Sequence, residues 1–362
     1  MNAQLSSNLV STDDTNINSM KKLITPNELI NWLSLSPETA KKIELWRQIT
    51  QDIIYKKDDR ILTIVWPCSI HSPDEAIDYA EKLKELEEKY PNLHIVMRTY
   101  FEKPRTTVGW KWLINDPNLD WSFDIENGLK QARKLLLEIS EIWLPVSTEF
   151  LDPISPEYIS DLITWWAIWA RTTESQTHRE LVSWLSPTIW FKNSTSGDIQ
   201  IAIDAMKASV EPHNFLWIIN DWTIDTISTS GNKYTHLILR GWSNWPNYHS
   251  DKVNDAINQL KESWIKTWVM IDASHANSNK DYRNQSIVIK NIAEQIESWN
   301  KDIIWVMIES NIKEWTQSFN VWKDKKNELE YWVSITDSCI SIQSTDEALK
   351  ILNNAVLVRK NK

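Results

Sequence analysis

Glycine is nearly missing: the chain has 5 glycines in 362 residues, against 23 tryptophans. Glycine is ordinarily about 7% of residues, so a literal reading deprives a long chain of the residue that makes its tight turns. The tryptophans stand where glycine is wanted. Trp66 precedes Pro67 at the end of an apolar run, Trp143 follows a helical segment in "EISEIWLP", and Trp242 and Trp245 lie in the turn-rich "RGWSNWPNY". A truly tryptophan-rich protein would set its indoles on apolar stripes and leave the turns to glycine. Most of these letters therefore read as glycines, from a codon (UGA is the candidate) that the source decodes as glycine.

Other scarcities narrow the class. Two cysteines, Cys68 and Cys339, far apart in sequence, point to a metal or redox role, or a buried thiol, more than to a disulfide framework. No apolar run approaches the roughly 20 residues of a membrane helix, and the N-terminus "MNAQLSSNLVSTDDTN" is polar rather than signal-like, so the expected location is the cytoplasm. Net charge is -10 with a pI near 5.3, which argues against unspecific nucleic-acid binding. Any anionic ligand must be met by a local cationic cluster.

With 42% hydrophobic and 24% charged residues, the chain can bury one large core. "TPNELINWL" and "SPETAKKIELWRQI" each open with a capping residue and proline at the first helical position, forming an N-terminal extension over residues 1–60. Beyond it, eight β-rich runs alternate with helical patterns: "ILTIVW", "HIVMR", "PVSTE", "WWAIWAR", "PTIWFK", "THLILR", "WVMID" and "IIWVMIE". That alternation predicts an α/β fold, a (β/α)8 TIM barrel over 61–362. "SPDEAIDYAEKLKELEEKY" opens with a capping box from Ser72 to Glu75. Residues 215–236 hold β-formers around "SGNK" and predict an inserted β-hairpin.

Nearly every predicted strand ends in a charged or metal-binding residue: Cys68, Arg98, Glu149, Arg171, Lys192, Arg240, Asp272 with His275 three residues on, and Glu309. Active sites of (β/α)8 enzymes are built at the carboxyl ends of the strands, so these side chains should share one mouth. One such residue would pass for a solvated charge; a recurrence at the same point of every unit does not. They form two sets. Arg98, Arg171, Lys192 and Arg240, with Lys103 and Arg105 of "FEKPRTTVGWK", make a cationic pocket suited to a ligand with more than one anionic group. Cys68, His275, Glu309 and Asp337 offer a borderline donor set for Mn2+, Fe2+, Zn2+ or Co2+ rather than a Mg2+ or Ca2+ cage. They are scattered along the sequence, so spacing alone does not establish the metal.

The motifs "PCSIH", "RTYFEKPRTTVGWKWLIND", "TEFLDPISPEY", "ARTTESQTHRE", "FKNSTSG", "LILRGW", "MIDASHANS", "VMIES" and "SITDSC", in this order, resemble the aromatic-regulated 3-deoxy-D-arabino-heptulosonate 7-phosphate (DAHP) synthases. The similarity runs from about Ile61 to the C-terminus. The family has glycine at the positions of Trp66, Trp112, Trp166, Trp169, Trp190, Trp242 and Trp305, whereas Trp110 and Trp165 match its tryptophans.

The resemblance implies an enzyme that condenses phosphoenolpyruvate with erythrose 4-phosphate and water, releasing phosphate. It implies a divalent metal held by Cys68, His275, Glu309 and Asp337. Phosphoenolpyruvate would meet Arg98, Arg171, Lys192 and Arg240, and Lys103 would reach both substrates. Arg105 and Thr106 would hold the aldose phosphate, and Glu149 shares the site. Lys103, His275 and Asp337 are the expected catalytic groups. A homo-oligomer, dimer or tetramer, and an aromatic amino acid effector acting through the arm and hairpin are also implied, with no nucleic-acid or membrane partner. A related synthase using a pentose phosphate and a non-catalytic sugar-phosphate sensor stand as alternatives.

Overall fold

The computed structural model describes residues 13–103, 109–242, 245–298 and 300–362. Two helices come first, α1 (Pro26–Trp32) and α2 (Pro37–Ile54), capped by Thr25 and Ser36. Thr25 and Glu28 complete a reciprocal capping box, which satisfies two of the orphan donors at the helix start. Then follow β1 (Ile61–Trp66), α3 (Pro73–Lys89), β2 (Leu93–Arg98), α4 (Trp112–Asn115), α5 (Ile125–Glu141), β3 (Val146–Phe150), α6 (Pro156–Ile159), β4 (Trp165–Ile168), α7 (Gln176–Trp184), β5 (Thr188–Lys192) and α8 (Gln200–Val210). The antiparallel pair β6 (Asn214–Ile218) and β7 (Ile224–Ser228) comes next. After it run β8 (Thr235–Leu239), α9 (Ser250–Glu262), β9 (Val269–Asp272), α10 (Gln285–Glu297), β10 (Ile303–Glu309) and α11 (Ile342–Asn361).

All strands except β6 and β7 are parallel and close into one barrel, in the order β1-β10-β9-β8-β5-β4-β3-β2. Every expected barrel strand forms. Their runs are apolar without alternation because both faces are buried. Leu62 and Ile64 of β1 point into the barrel with Val96, Ala167, Ile238, Met270 and Met307, whereas Ile61 and Val65 face outward against the helices. Each such aliphatic side chain contributes about 1.5–3 kcal/mol on burial.

Two local expectations need correcting. The hairpin turns at 219–223, where the Ile219 N–H donates to the Thr223 carbonyl at 2.9 Å, rather than at "SGNK". Asn220, Asp221 and the positive-φ Trp222 supply the turn chemistry there, and Gly231 instead bends the chain back beside Val210. At α3, Ser72 accepts from the Glu75 N–H, but the Glu75 carboxylate faces His71 at 3.3 Å instead of returning to close a box.

The arm is tied to both barrel and hairpin. Arg47 of α2 donates from Nε to the Ile163 carbonyl and from a terminal nitrogen to that of Ser160, both at 2.9 Å. The Asn27 N–H donates to the Asn220 carbonyl at 2.9 Å, and the Tyr158 hydroxyl to that of Ile24 at 2.6 Å. Arm and hairpin thus meet at one flank of the barrel.

The packing of α5 on α4 depends on Gly128. A Cβ there would lie 2.1 Å from the Ile114 carbonyl oxygen and 2.6 Å from that of Leu113, and backbone cannot give way as a flexible side chain can. Gly128→Ala should therefore destabilise the chain by about 1–3 kcal/mol or more despite alanine's higher helix propensity. Denaturant titration checks this; unchanged stability would show that the two helices slide apart freely.

Candidate active site

Parallel closure puts all the carboxyl strand ends on one side of the barrel. The β1–β10 register pairs Trp66 with Glu309, so Cys68 just past β1 comes down beside Glu309. The loop carrying Asp337 returns over this seam, where the Ile340 N–H donates to the Glu309 carbonyl at 3.0 Å and Cys339 pairs with Trp315. Ligand atoms of Cys68, Glu309 and Asp337 then lie within 4.8 Å of one another. Thiol plus two carboxylates is a donor set a borderline divalent cation accepts.

His275 does not join that group of three. It stands on the wall of a cavity of about 250 Å³ that Glu309 and Asp337 also line. Its backbone is left-handed (φ 53°), and its Nδ1 is hydrogen-bonded to the Ser274 hydroxyl at 2.8 Å with Asp272 Oδ2 alongside at 2.7 Å. Asp272 is fully buried, and its other oxygen accepts from the Ser274 hydroxyl at 2.7 Å. Ser274 and Asp272 together fix the ring at Nδ1 and leave Nε2 as its remaining nitrogen, an arrangement of the kind seen behind metal-binding histidines.

Lys103 sits at the centre of the cluster. Its ammonium donates to Cys68 Sγ at 2.8 Å and to Asp337 Oδ2 at 2.7 Å, while the Cys68 thiol donates to the same oxygen at 2.9 Å. Burial pushes the Cys68 thiol up to about 12, and Asp337 adds to the push. Burial works the other way on Lys103, but Cys68 and Asp337 outweigh it and hold the ammonium above its usual range. Asp337 is held well below the carboxylate range, because the Lys103 charge and the thiol hydrogen bond overcome its desolvation.

A second charged knot lies deeper. Arg98 is fully buried, donating to the Cys68 carbonyl at 3.0 Å and to Glu309 Oε1 at 3.1 Å, with its guanidinium 3.9 Å from the Tyr100 ring centre. Lys192 pairs with Glu149 Oε1, which also accepts from the Tyr100 hydroxyl at 2.7 Å. Burial lowers the Lys192 ammonium, and Glu149 counters it. Arg98, Lys103, Glu149 and Lys192 are thus brought together. Arg171 stands exposed just beyond β4, and Arg240 is half-buried at the end of β8, its N–H donating to Asn193 Oδ1 at 2.9 Å. Arg105 and Thr106 lie outside the described residues.

Sequence reasoning passed over Tyr100 and Glu102, although both lie within "RTYFEKPR" directly after β2. Glu102 is buried; its Oε2 accepts from the Ser155 hydroxyl at 2.8 Å and the Asp152 N–H at 3.4 Å, tying the Lys103 segment to the loop after β3.

Comparison with known proteins places the chain in a family. The model of the DAHP synthetase I family matches residues 38–350. The chain is 47% identical over 329 residues to the Tyr-sensitive phospho-2-dehydro-3-deoxyheptonate aldolase of Salmonella typhimurium, covering 91% of each. It is 45% identical over 349 residues to the Phe-sensitive form of Escherichia coli, covering 96% of this chain and 98% of that one. A solved structure of phospho-2-dehydro-3-deoxyheptonate aldolase from Francisella tularensis superposes with a TM-score of 0.91 at 46% identity, over 95% of this chain and 99% of that one.

Glu102 makes a pH prediction. Burial, with Asp152 adding, raises its carboxyl to about 8 against 4.5 for a free one. The folded state therefore keeps a proton that the unfolded chain loses, so stability falls as pH rises across roughly 5 to 8 and flattens above. Glu102→Gln retains the acceptor for Ser155 and should remove this part of the fall. Thermal midpoints of both chains across that range check it; parallel curves would show that Glu102 is ionised throughout.

Proposed function

The chain belongs to the DAHP synthetase I family, and we propose a division of labour among its strand-end residues. The reaction joins phosphoenolpyruvate to erythrose 4-phosphate, with water, to give DAHP and inorganic phosphate, the entry to the shikimate pathway. The observation that carries the assignment of roles is the convergence of Cys68, Glu309, Asp337 and Lys103 beside the buried Arg98 and Lys192.

Arg98, Lys192 and Lys103, with Arg171 and Arg240 at the rim, meet the carboxylate and phosphate of phosphoenolpyruvate. Arg105 and Thr106 hold the aldose phosphate. The enol carbon of phosphoenolpyruvate bonds to the aldehyde carbon, and the carbonyl oxygen takes a proton. Lys103 is the donor in this reading: its ammonium is held charged by Cys68 and Asp337 at the point where the oxygen becomes an alkoxide. Positive charge left on the second carbon is met by water, and phosphate then departs to leave the ketone. Glu149 Oε2 is buried without a hydrogen-bond partner, so it is the acceptor available to that water.

Cys68, Glu309 and Asp337, with His275 turned in by Asp272, would hold Mn2+, Fe2+, Zn2+ or Co2+. Such an ion would supply Lewis-acid polarisation of the aldehyde carbonyl. Support comes from the donor chemistry and from Lys103, which already places one positive charge between thiol and carboxylate. The meeting of arm and hairpin through Asn27 and Asn220 offers a flank for an aromatic effector and for assembly of copies. The Tyr- and Phe-sensitive names of the relatives support an effector of that chemistry.

Chelation should abolish turnover, and Mn2+ or Fe2+ should restore it. Cys68→Ala should keep the circular dichroism of the parent while losing turnover and stoichiometric metal binding; full activity would remove Cys68 from the site. Initial rates with phenylalanine, tyrosine and tryptophan at millimolar concentration should show inhibition by at least one, and the effector reading fails if none inhibits.

A further inference from the structure

We infer that the polypeptide carrying this activity has glycine, not tryptophan, at Trp112, Trp121, Trp143, Trp222, Trp264, Trp315 and Trp332, and at the barrel positions Trp66, Trp166, Trp169, Trp190 and Trp305. Residue 169 then determines whether a phosphorylated carboxylate fits the site. The second statement rests on the substrate reading above; the first does not.

Backbone conformation is the primary observation. Fourteen non-glycine residues have left-handed φ among the described residues, and seven are tryptophans, with φ of 61° to 78°. This region is disfavoured for bulky L-residues and open to glycine, and Gly197, Gly231 and Gly241 occupy it here. Two of the seven end helices. After α5, the Trp143 N–H donates to the Ser140 carbonyl at 3.2 Å and the Leu144 N–H to that of Ile139 at 3.4 Å; after α9, Trp264 and Ile265 repeat the pattern on Lys261 and Leu260 at 3.0 Å. This is the Schellman ending, whose left-handed residue is normally glycine. Trp264 is 92% exposed, so packing gives no reason for an indole there.

Space is the second observation. Aromatic pairs settle with ring centres 4.5–7 Å apart. Here Trp165–Trp190 stand at 3.1 Å, Phe150–Trp166 at 3.5 Å, His236–Trp305 at 3.6 Å and Trp66–Tyr79 at 4.1 Å. The indole nitrogens of Trp66, Trp112, Trp166, Trp169, Trp190 and Trp305 are buried without a partner, as is that of Trp165 among the crowded rings around it, which costs free energy at each site. Trp110 and Trp268 differ: neither has a left-handed φ, and their indole N–H groups donate to the carbonyls of Asp116 at 2.8 Å and Ile54 at 2.7 Å, whereas Trp332, which donates to Asp78 Oδ2 at 3.1 Å, is assigned by its φ of 69°. Trp110 and Trp268 are assigned as tryptophans.

The consequence for binding lies just past β4. The Trp169 ring centre is 4.7 Å from the Lys192 ammonium and 5.4 Å from that of Lys103, and the Trp112 ring is 5.2 Å from Lys103. Indole faces fill the ground between the two cations that an anion must reach. Hydrogen at 169 opens it.

Peptide mass spectra of the chain isolated from its natural source should give glycine masses at Trp143, Trp169 and Trp264 and tryptophan mass at Trp110; tryptophan at those three positions overturns the assignment. For residue 169, two chains are compared, one with all twelve glycines and one with all but Trp169→Gly. Phosphoenolpyruvate binding by calorimetry should be about tenfold or more tighter with glycine at 169, at matched circular dichroism. Equal affinity overturns the role of residue 169. Glycine masses in a chain without turnover would sink the reaction assignment instead and leave the residue assignment standing.

Discussion

Everything at the mouth of this barrel depends on the seam where the first strand meets the last. The ladder from Leu62↔Trp305 to Trp66↔Glu309 joins segments some 240 residues apart, and without it Cys68 and Glu309 have no reason to be neighbours. Once the seam is set, the charges beyond it become interdependent. Arg98 spans from the Cys68 carbonyl to Glu309, and Lys103 from Cys68 to Asp337. Removing one partner from the buried Arg98–Glu309 pair leaves an uncompensated charge, at a typical cost of about 3–5 kcal/mol. A substrate bringing its own negative charges can enter because the cations are already gathered there.

Much of this was legible beforehand, because the barrel strands have a simple signature. Runs such as "ILTIVW" and "IIWVMIE" are apolar on both faces, and helical patterns separate them. The strand-end residues were legible because the fold itself directs them to one side; Cys68, Arg98, Glu149, Lys192 and Glu309 needed only that rule. Asp337 lies off any strand, so that rule does not reach it, and its place in the donor set rested on carboxylate chemistry and motif resemblance. The separation of His275 from the other three donors was not legible, since it turns on a left-handed backbone at one residue and on the grip of Asp272. The hairpin turn was misplaced because Trp222 hides the residue type that would have marked it.

Tyr100 and Glu102 were passed over for a different reason. Tyr100 is neither a metal donor of the expected kind nor a cation, and Glu102, a carboxylate like Glu309, lies past the end of β2, where the strand-end rule does not reach. Their work is to hold: Tyr100 on Glu149, Glu102 on the loop after β3.

The same seam bears on the order in which the chain is made. β1 emerges from the ribosome early, but its partner β10 ends at residue 309, and α11, whose Arg359 donates to the Asp59 carbonyl at 2.7 Å, comes last. For most of synthesis, then, the nascent sheet carries an open edge on β1, an apolar strand with unpaired backbone groups. A ribosome stalled before residue 303 would display that edge with no means of closing it. Until β10 is made, that edge is the place where one unfinished chain can pair with another.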